Sequence, residues 1–393
     1  MVPTVAAMTN QLPTRLTWQQ VCARRLQVHA LARPAKDARP SEIVAATAGT
    51  HAQVMSAAEL GIALRIEGAT RVDVRHALWN EHSLIKTFGP RGTVHLLPAA
   101  ELAVWTGALS AVALGPSPLP DSVRMSPDQT EAVLDAIGTA LLGTELTVDE
   151  LTEAVADLAG PWAADPVMPA FQTYWPRWRQ VQHLAGHRGS LCFGPNRGRN
   201  VTYTNPRRWL PSFRPAAAEE ALPRLLRSYL RAYGPSTPQR FAHWLNAPVS
   251  WAHSVFESAT GQLCQVDVEG SPAWLPAGES DVPDEMPSGV RLLPYFDGYA
   301  YRVGNQPPEH LCPGRAADRI LGGNFQVLLV DGVVGGLWHQ RRSGRRIAVT
   351  VEPLVDLTPA QRGELDLQVC RVGEVLQGNA TLTIGRVTVG SHG

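Results

Sequence analysis

Lysine is nearly absent from this chain of 393 residues: of 35 basic residues only Lys36 and Lys86 are lysines, and the rest are arginines. Arginine favours planar, forked contacts to phosphates and base edges, although a GC-rich coding bias yields the same composition. Cysteine is also scarce. Cys22, Cys192, Cys264, Cys312 and Cys370 are scattered with no C-x-x-C spacing, which argues against a zinc site and against a disulfide framework. An excess of either charge is missing too, since 35 acidic residues balance the 35 basic ones. The whole chain therefore exerts no general pull on nucleic acid, and any phosphate-binding face has to be local. No apolar run reaches the length of a membrane span, about 20 residues, and no basic segment followed by an apolar one opens the chain as a secretory signal does. The expectation is a cytoplasmic protein with no membrane partner. A Gly-rich phosphate loop between strand and helix, a cluster of metal ligands and a Ser-His-Asp arrangement of known spacing are all lacking, so neither a cofactor nor a metal is expected.

What is present is a chain with 44% hydrophobic and 18% charged residues, long enough for two to four domains. An order of elements recurs along it: helices, a short capped helix, then two strands around a Gly- or Pro-rich tip. In the first copy Leu16 to Leu31 and Ser41 to Gln53 read as helices, and Thr70-Arg-Val-Asp73 opens a short one. Ser83 to Phe88 then pairs with Thr93 to Leu97 across Gly89-Pro-Arg-Gly92. In the second, Ser126 to Leu142 is helical, Thr147-Val-Asp-Glu150 is a capping box, and Met168 to Ala185 is a third helix. Strands at Gly189 to Gly194 and Asn200 to Asn205 flank the basic tip Pro195-Asn-Arg-Gly-Arg199. The third has helices from Ala217 to Tyr233, from Ser236-Thr-Pro-Gln239 and from Ser250, then strands at Leu263 to Val268 and Ala273 to Leu275. Helices followed by a two-stranded wing describe a winged helix.

Beyond about Ser288 the pattern becomes mostly extended, at Val290 to Pro294, Gln326 to Val330, Val333 to Trp338, Ile347 to Val351, Glu374 to Gln377 and Ala380 to Ile384. Short strands with turn signals, among them Asp331-Gly332, predict a small β-barrel or a curved sheet. The fold class is thus α+β, with three tandem winged-helix units at 10–125, 126–215 and 216–287 and a β-barrel-like domain at 288–393.

Several segments together carry a family likeness: Ala77-Leu-Trp79 leading into Lys86 to Leu97, Tyr229-Leu-Arg-Ala-Tyr-Gly-Pro235, Leu292-Leu-Pro-Tyr-Phe-Asp297, Leu329 to Gly335, and Thr350-Val-Glu-Pro353. On these the chain resembles the AlkZ and YcaQ superfamily of winged-helix DNA glycosylases. The resemblance implies winged helices bent into a C shape, a lesion site on the concave face, and a catalytic triplet of glutamine, an apolar residue, and glutamine or aspartate. His51-Ala52-Gln53 stands at the matching positions. Histidine replaces the first glutamine, a variation that family members giving self-resistance to bulky DNA-alkylating antibiotics tolerate.

The triplet also makes chemical sense by itself. Residues two apart diverge by about 200° on a helix but share one side of an extended segment. With a break at Gly49, His51 and Gln53 would face a cavity while Ala52 packs inward. A purine alkylated at N7 or N3 is cationic and leaves without a general acid. The enzyme has only to hold a water behind C1′ and stabilise an oxocarbenium-like centre. An amide orients water, and an imidazole either orients it or accepts its proton. Thr93 and His95, in the first wing, would support this pair from behind.

For the DNA, Arg91 in the first wing, Arg197 and Arg199 in the second, and Arg341, Arg342, Arg345 and Arg346 around Ser343-Gly344 form basic hairpin tips suited to a minor groove or to phosphates. The tryptophans, among them Trp105, Trp175, Trp178 and Trp244, fall on helices or at their ends and read mainly as core. The function that follows is a monofunctional DNA glycosylase, a monomer that acts near the nucleoid on bulky N7-alkylguanine adducts in double-stranded DNA, with interstrand cross-links as a further candidate substrate. Two rivals remain: a winged-helix transcription regulator, which requires a palindromic site and no base release, and a protein that sequesters the free drug.

Overall fold

A computed structural model describes residues 14–113, 115, 119–170, 173–281, 283–300, 308–315 and 325–388. The chain enters through β1 (Thr14–Leu16) and α1 (Trp18–Val28). A first unit follows: α2 (Pro40–Ala46), β2 (Thr50–His51), α3 (Met55–Leu64), α4 (Arg71–Trp79), β3 (Leu84–Phe88) and β4 (Val94–Pro98). Its strands lie in the order β2-β4-β3, all antiparallel. α4 starts where the sequence places it: the Thr70 hydroxyl accepts from Val72 N–H, and the Asp73 carboxylate accepts from Thr70 N–H at 2.7 Å. Val44, Leu60, Ile62, Leu78, Leu84 and Leu96, drawn from every helix and two strands, are all nearly inaccessible and form the unit's core.

After α5 (Leu102–Ser110) the same order returns as α6 (Pro127–Ala140), β5 (Glu145–Thr147) and α7 (Val148–Ala159), with β6 (Pro166–Ala170) and β7 (Thr173–Pro176) inserted before α8 (Gln182–His187), β8 (Cys192–Arg197) and β9 (Asn200–Thr204). The strand order β5-β9-β8 repeats that of the first unit. The helix expected from Met168 to Ala185 is therefore absent over its first half. Pro166, Pro169 and Pro176 deny the segment helical hydrogen bonds, and Thr173-Tyr-Trp175 suits a strand, so a hairpin forms and only Gln182–His187 is α-helical.

A third copy comprises α9 (Ala218–Tyr233), α10 (Pro238–Leu245), α11 (Val249–Ser258), β10 (Leu263–Val268) and β11 (Ser271–Pro276). Here the short first strand is reduced to a bridge between Ser236 and Trp274, and β1 pairs parallel to β10 on the other edge. α5 packs against α9. A carbonyl-to-side-chain contact of about 2.3 Å would arise if Gly107 carried a Cβ, because Ala216 O lies there; glycine is what lets the two segments meet.

The last part has β12 (Val290–Leu293), α12 (Pro308–Leu311), β13 (Gln326–Val330), β14 (Val333–Ser343), β15 (Arg346–Pro353), α13 (Pro359–Leu376) and β16 (Asn379–Ile384). The five strands run β12-β13-β14-β15-β16 in space, antiparallel except for the β15–β16 pair. Asp331 (φ 49°) and Gly332 (φ 83°) make the expected tight turn. Among the described residues the sheet ends at β12 and β16, so of the two forms expected it is the open sheet, covered by a helix, and not a closed barrel. The strand expected at Glu374 to Gln377 is the end of α13. Leu365, Val369, Val372 and Leu376 recur at helical spacing and are buried, and Thr358 with Gln361 caps the start. Among the described residues no helix is long and apolar enough to cross a membrane.

Candidate active site

His51 is held by three local features. α2 stops at Ala46, short of the expected helix, because Ala48 (φ 50°) and Gly49 (φ 85°) turn the chain out of the helical region. A Cβ on Gly49 would also come within 3.1 Å of Leu97. The chain then pairs with β4, setting His51 opposite His95 and Thr50 opposite Leu96. Alternation along this extended stretch buries Ala52, whose N–H donates to Val94 O at 2.7 Å, and leaves His51 half-buried on the other side. Gln53 is exposed at the bend that follows and is not among the residues lining the recess around His51. The triplet thus has the expected alternation, but only its histidine faces the cavity.

That recess, a cavity of about 20 Å³ with room for about one water, is bounded by α2, α3 and the loop after β12. The Phe296 ring lies 4.7 Å from the His51 ring and the His95 ring 5.2 Å away, nearly perpendicular. Burial, helped by the nearby Arg91 charge, lowers the His51 pKa to about 4. At neutral pH it is an uncharged imidazole. His95 is buried, and burial holds it well below its ordinary range, with His51 adding to the effect. Its Nδ1–H donates to Thr93 O at 2.9 Å, which leaves Nε2 as the lone-pair nitrogen. The Thr93 hydroxyl donates to Pro90 O at 3.0 Å. His95 therefore lies across the strand pair from His51, and Thr93 is hydrogen-bonded to His95.

The loop from Pro294 to Gly298 supplies the far wall. Asp297 takes a two-pronged ion pair from Arg65 of the first unit, both N–H···O distances being 2.8 Å, with both side chains about 5% exposed or less. Arg65 also donates to His29 O and Gly61 O. Phe296 sits at φ 59°, a conformation that costs a non-glycine residue energy. Nothing in the sequence singles out Arg65, Phe296 or Asp297 as a site residue. Their one signal is the segment Leu292 to Asp297, which carries the family likeness without indicating a role.

The arginines divide. Arg91 is not at an open wing tip: the Gly89–Thr93 loop is packed on the neighbouring units, and Arg91 donates to Trp244 O at 3.0 Å. Arg197 pairs with Glu150 at 3.0 Å and also donates to the Glu145 carbonyl, which offsets much of its charge, whereas Arg199 is exposed. At the β14–β15 tip Arg341, Arg345 and Arg346 are exposed, and Arg342 donates to Leu376 O and Gly344 O. Trp105, Trp178 and Trp244 are core, as expected, but Trp175 lies on β7 and is 42% exposed. Among the described residues no three His, Cys, Asp or Glu side chains converge as a metal site requires.

Measured against known proteins, this scaffold is that of a DNA N-glycosylase. The chain belongs to the DNA glycosylase AlkZ-like family, whose model matches residues 44–375. It is 32% identical over 341 residues to an interstrand DNA cross-link repair glycosylase of Streptomyces sahachiroi, covering 83% of this chain and 88% of that protein. It is also similar to the solved structure of Streptomyces sahachiroi DNA glycosylase AlkZ, with a TM-score of 0.80 and 26% identity, over 95% of this chain and 100% of that one.

Proposed function

We propose that this glycosylase hydrolyses the N-glycosidic bond of bulky N7-alkylated guanines in double-stranded DNA, gives self-resistance to a DNA-alkylating natural product, and unhooks interstrand cross-links, the activity named for its Streptomyces relative. We read the three repeats as winged helices within 10–125, 126–215 and 216–287, with the sheet domain at 288–393. The observation that carries the chemistry is the uncharged His51 imidazole in a recess closed by Phe296 and the Arg65–Asp297 pair.

An N7-alkylated guanine already bears the positive charge that departs with it, so no acid is needed at the leaving group. A neutral imidazole accepts a hydrogen bond from a water and aims the oxygen at C1′ as the bond to the base stretches. With a pKa of about 4, His51 is too weak to remove the proton early. Its role is to orient the water and take the proton late, once the water is bonding to a cationic sugar. Gln53, exposed beside it, would close on the sugar or the water when DNA covers the recess. Arg199, Arg341, Arg345 and Arg346 would meet phosphates or the minor groove, while Arg91, Arg197 and Arg342 also bond to neighbouring segments of this chain.

The test is incubation with a duplex carrying one N7-alkylguanine, alkaline cleavage at the abasic site, and mass analysis of the freed base. His51→Ala and Gln53→Ala should each remove most base release with DNA affinity unchanged. Retention of near-full activity by both variants removes the assignment, and no release by the native protein removes the hydrolytic function.

A further inference from the structure

The segment Tyr229 to Pro235 carries part of the family likeness and lies far along the chain from the first unit, yet one of its side chains reaches the back of the recess. Tyr233 ends α9. The end of a helix leaves its last carbonyls without intrahelical partners, and here α1 supplies them. Arg231 O accepts from Arg24 at 2.9 Å, Ala232 O from His29 Nε2–H at 2.9 Å, and Tyr233 O from Arg25. The Tyr233 ring is buried, with the His29 ring edge-on at 5.4 Å. Burial raises the Tyr233 pKa and Asp297 adds to it, so the hydroxyl keeps its proton and acts as a donor.

That hydroxyl stands between the two walls of the recess. On one side it donates to Thr47 O at 2.9 Å, across 186 positions of the chain. Thr47 is where α2 gives way to the Ala48-Gly49 turn that aims His51. Other carbonyls of this turn are met locally, Val44 O by Gly49 N–H and Ala45 O by Ala48 N–H, so Thr47 O is the point at which a distant segment enters it. On the other side the hydroxyl abuts Gly298, where a Cβ would come within 2.5 Å of the oxygen. Gly298 lies two residues beyond Phe296 in the loop of the far wall, and both it and Thr47 line the recess.

We propose that Tyr233 is a positioning residue for base hydrolysis: its hydroxyl, wedged between Thr47 O and Gly298, sets the gap between the His51 turn and the Phe296 loop. It acts through His51 and not on the DNA, and so rests on the reading of His51 as the group that holds the water. The recess has room for about one water, so a small shift of either wall changes how the imidazole meets it. A misplacement of about 1 Å costs about a hundredfold in rate.

The test sets Tyr233→Phe against Tyr229→Phe. Both remove one buried hydroxyl from the same face of α9, but the Tyr229 hydroxyl bonds to Ser236 Oγ at 2.8 Å, and neither of those residues lines the recess. Single-turnover release from a duplex carrying one N7-alkylguanine should fall about tenfold or more in Tyr233→Phe, with the dissociation constant of the duplex unchanged, and stay within about twofold of native in Tyr229→Phe. Gly298→Ala, whose Cβ displaces the same oxygen, should reproduce the loss, and adding it to Tyr233→Phe should cost little more. A second readout needs no catalysis. In protein labelled with carbon-13 in the histidine rings, the His51 NMR signal, assigned by its absence from His51→Ala, should move in Tyr233→Phe and stay in place in Tyr229→Phe. Equal rate losses in the two tyrosine variants mark general destabilisation and overturn the proposal; so does a His51 signal unmoved in Tyr233→Phe, and so does a loss of duplex affinity that matches the loss of rate. If the native protein releases no base, the hydrolytic reading falls, and the ring signal alone decides whether Tyr233 positions His51.

Discussion

Protonation of His51 should set the acid limb of the pH profile, because only the uncharged ring can accept a hydrogen bond from water. Burial first, and Arg91 second, lower its pKa to about 4. An unperturbed histidine titrates near 6.5, so at pH 5.5 it would be about 90% protonated, while a group titrating near 4 would be only about 3% protonated. The two cases differ about tenfold in the active form. Single-turnover release of N7-methylguanine, with the enzyme-free rate subtracted at each pH because depurination quickens in acid, should stay flat from neutrality to pH 5.5 and fall as the pH drops through about 4. A midpoint near 6.5 would refute the reasoning. Folding limits the window. His29, His51 and His187 are held to about 3, 4 and 4 in the folded protein, chiefly by burial. Between those values and about 6.5 the unfolded chain binds protons that the folded one refuses, so stability is full above about pH 6.5 and declines as the pH falls below it. Three such groups give a slope of a few kcal/mol per pH unit near pH 5. Melting curves at each pH must therefore accompany the rates.

Removing Arg341, Arg345 and Arg346 together should weaken binding to any duplex and lower the slope of log K against log salt by about 0.9 for each phosphate that these side chains neutralise; an unchanged slope means that the β14–β15 tip does not touch the backbone. Arg65→Ala and Asp297→Ala should each destabilise the fold by about 3–5 kcal/mol, since each strands a buried charge. The double variant should cost less than the two singles summed. Denaturant unfolding measures all three, and single losses under about 1 kcal/mol would contradict the burial of this pair.

The sequence discloses what is local. Thr70 with Asp73, Thr147 with Glu150, and Asp331-Gly332 are satisfied by neighbours a few residues away, so local spacing alone places two helix starts and a turn. Gly49 marks the break before His51, but the pairing of His51 with His95 depends on the register of strands far apart in sequence and is not legible in the same way. Partners distant in sequence are what cannot be read. Arg91 looks like a wing tip until Trp244 O accepts from it, and Arg197 looks available until Glu150 turns toward it. The hairpin from Pro166 to Pro176 is hidden for another reason. Its apolar residues also fit a helical stripe, and that periodicity masks the prolines that exclude a helix.

Phe296 and Asp297 explain why the site needs two parts of the chain. His51 on a wing strand alone would be a solvent-facing histidine, titrating near neutrality and charged part of the time, and an imidazolium beside a cationic sugar would oppose the reaction it is meant to assist. Docking the loop after β12 changes that. The Arg65–Asp297 pair pins the loop to α3, the pinned loop holds Phe296 at a positive φ, and the Phe296 ring covers His51. The cost of the strained backbone, about 1–3 kcal/mol, is of the same order as the free energy needed to keep one imidazole uncharged in mild acid. On the proposed mechanism, an ion pair in the wall of the recess thus helps to keep the His51 ring uncharged, and the sheet domain contributes by holding bulk solvent and protons off that ring rather than by supplying a reacting group.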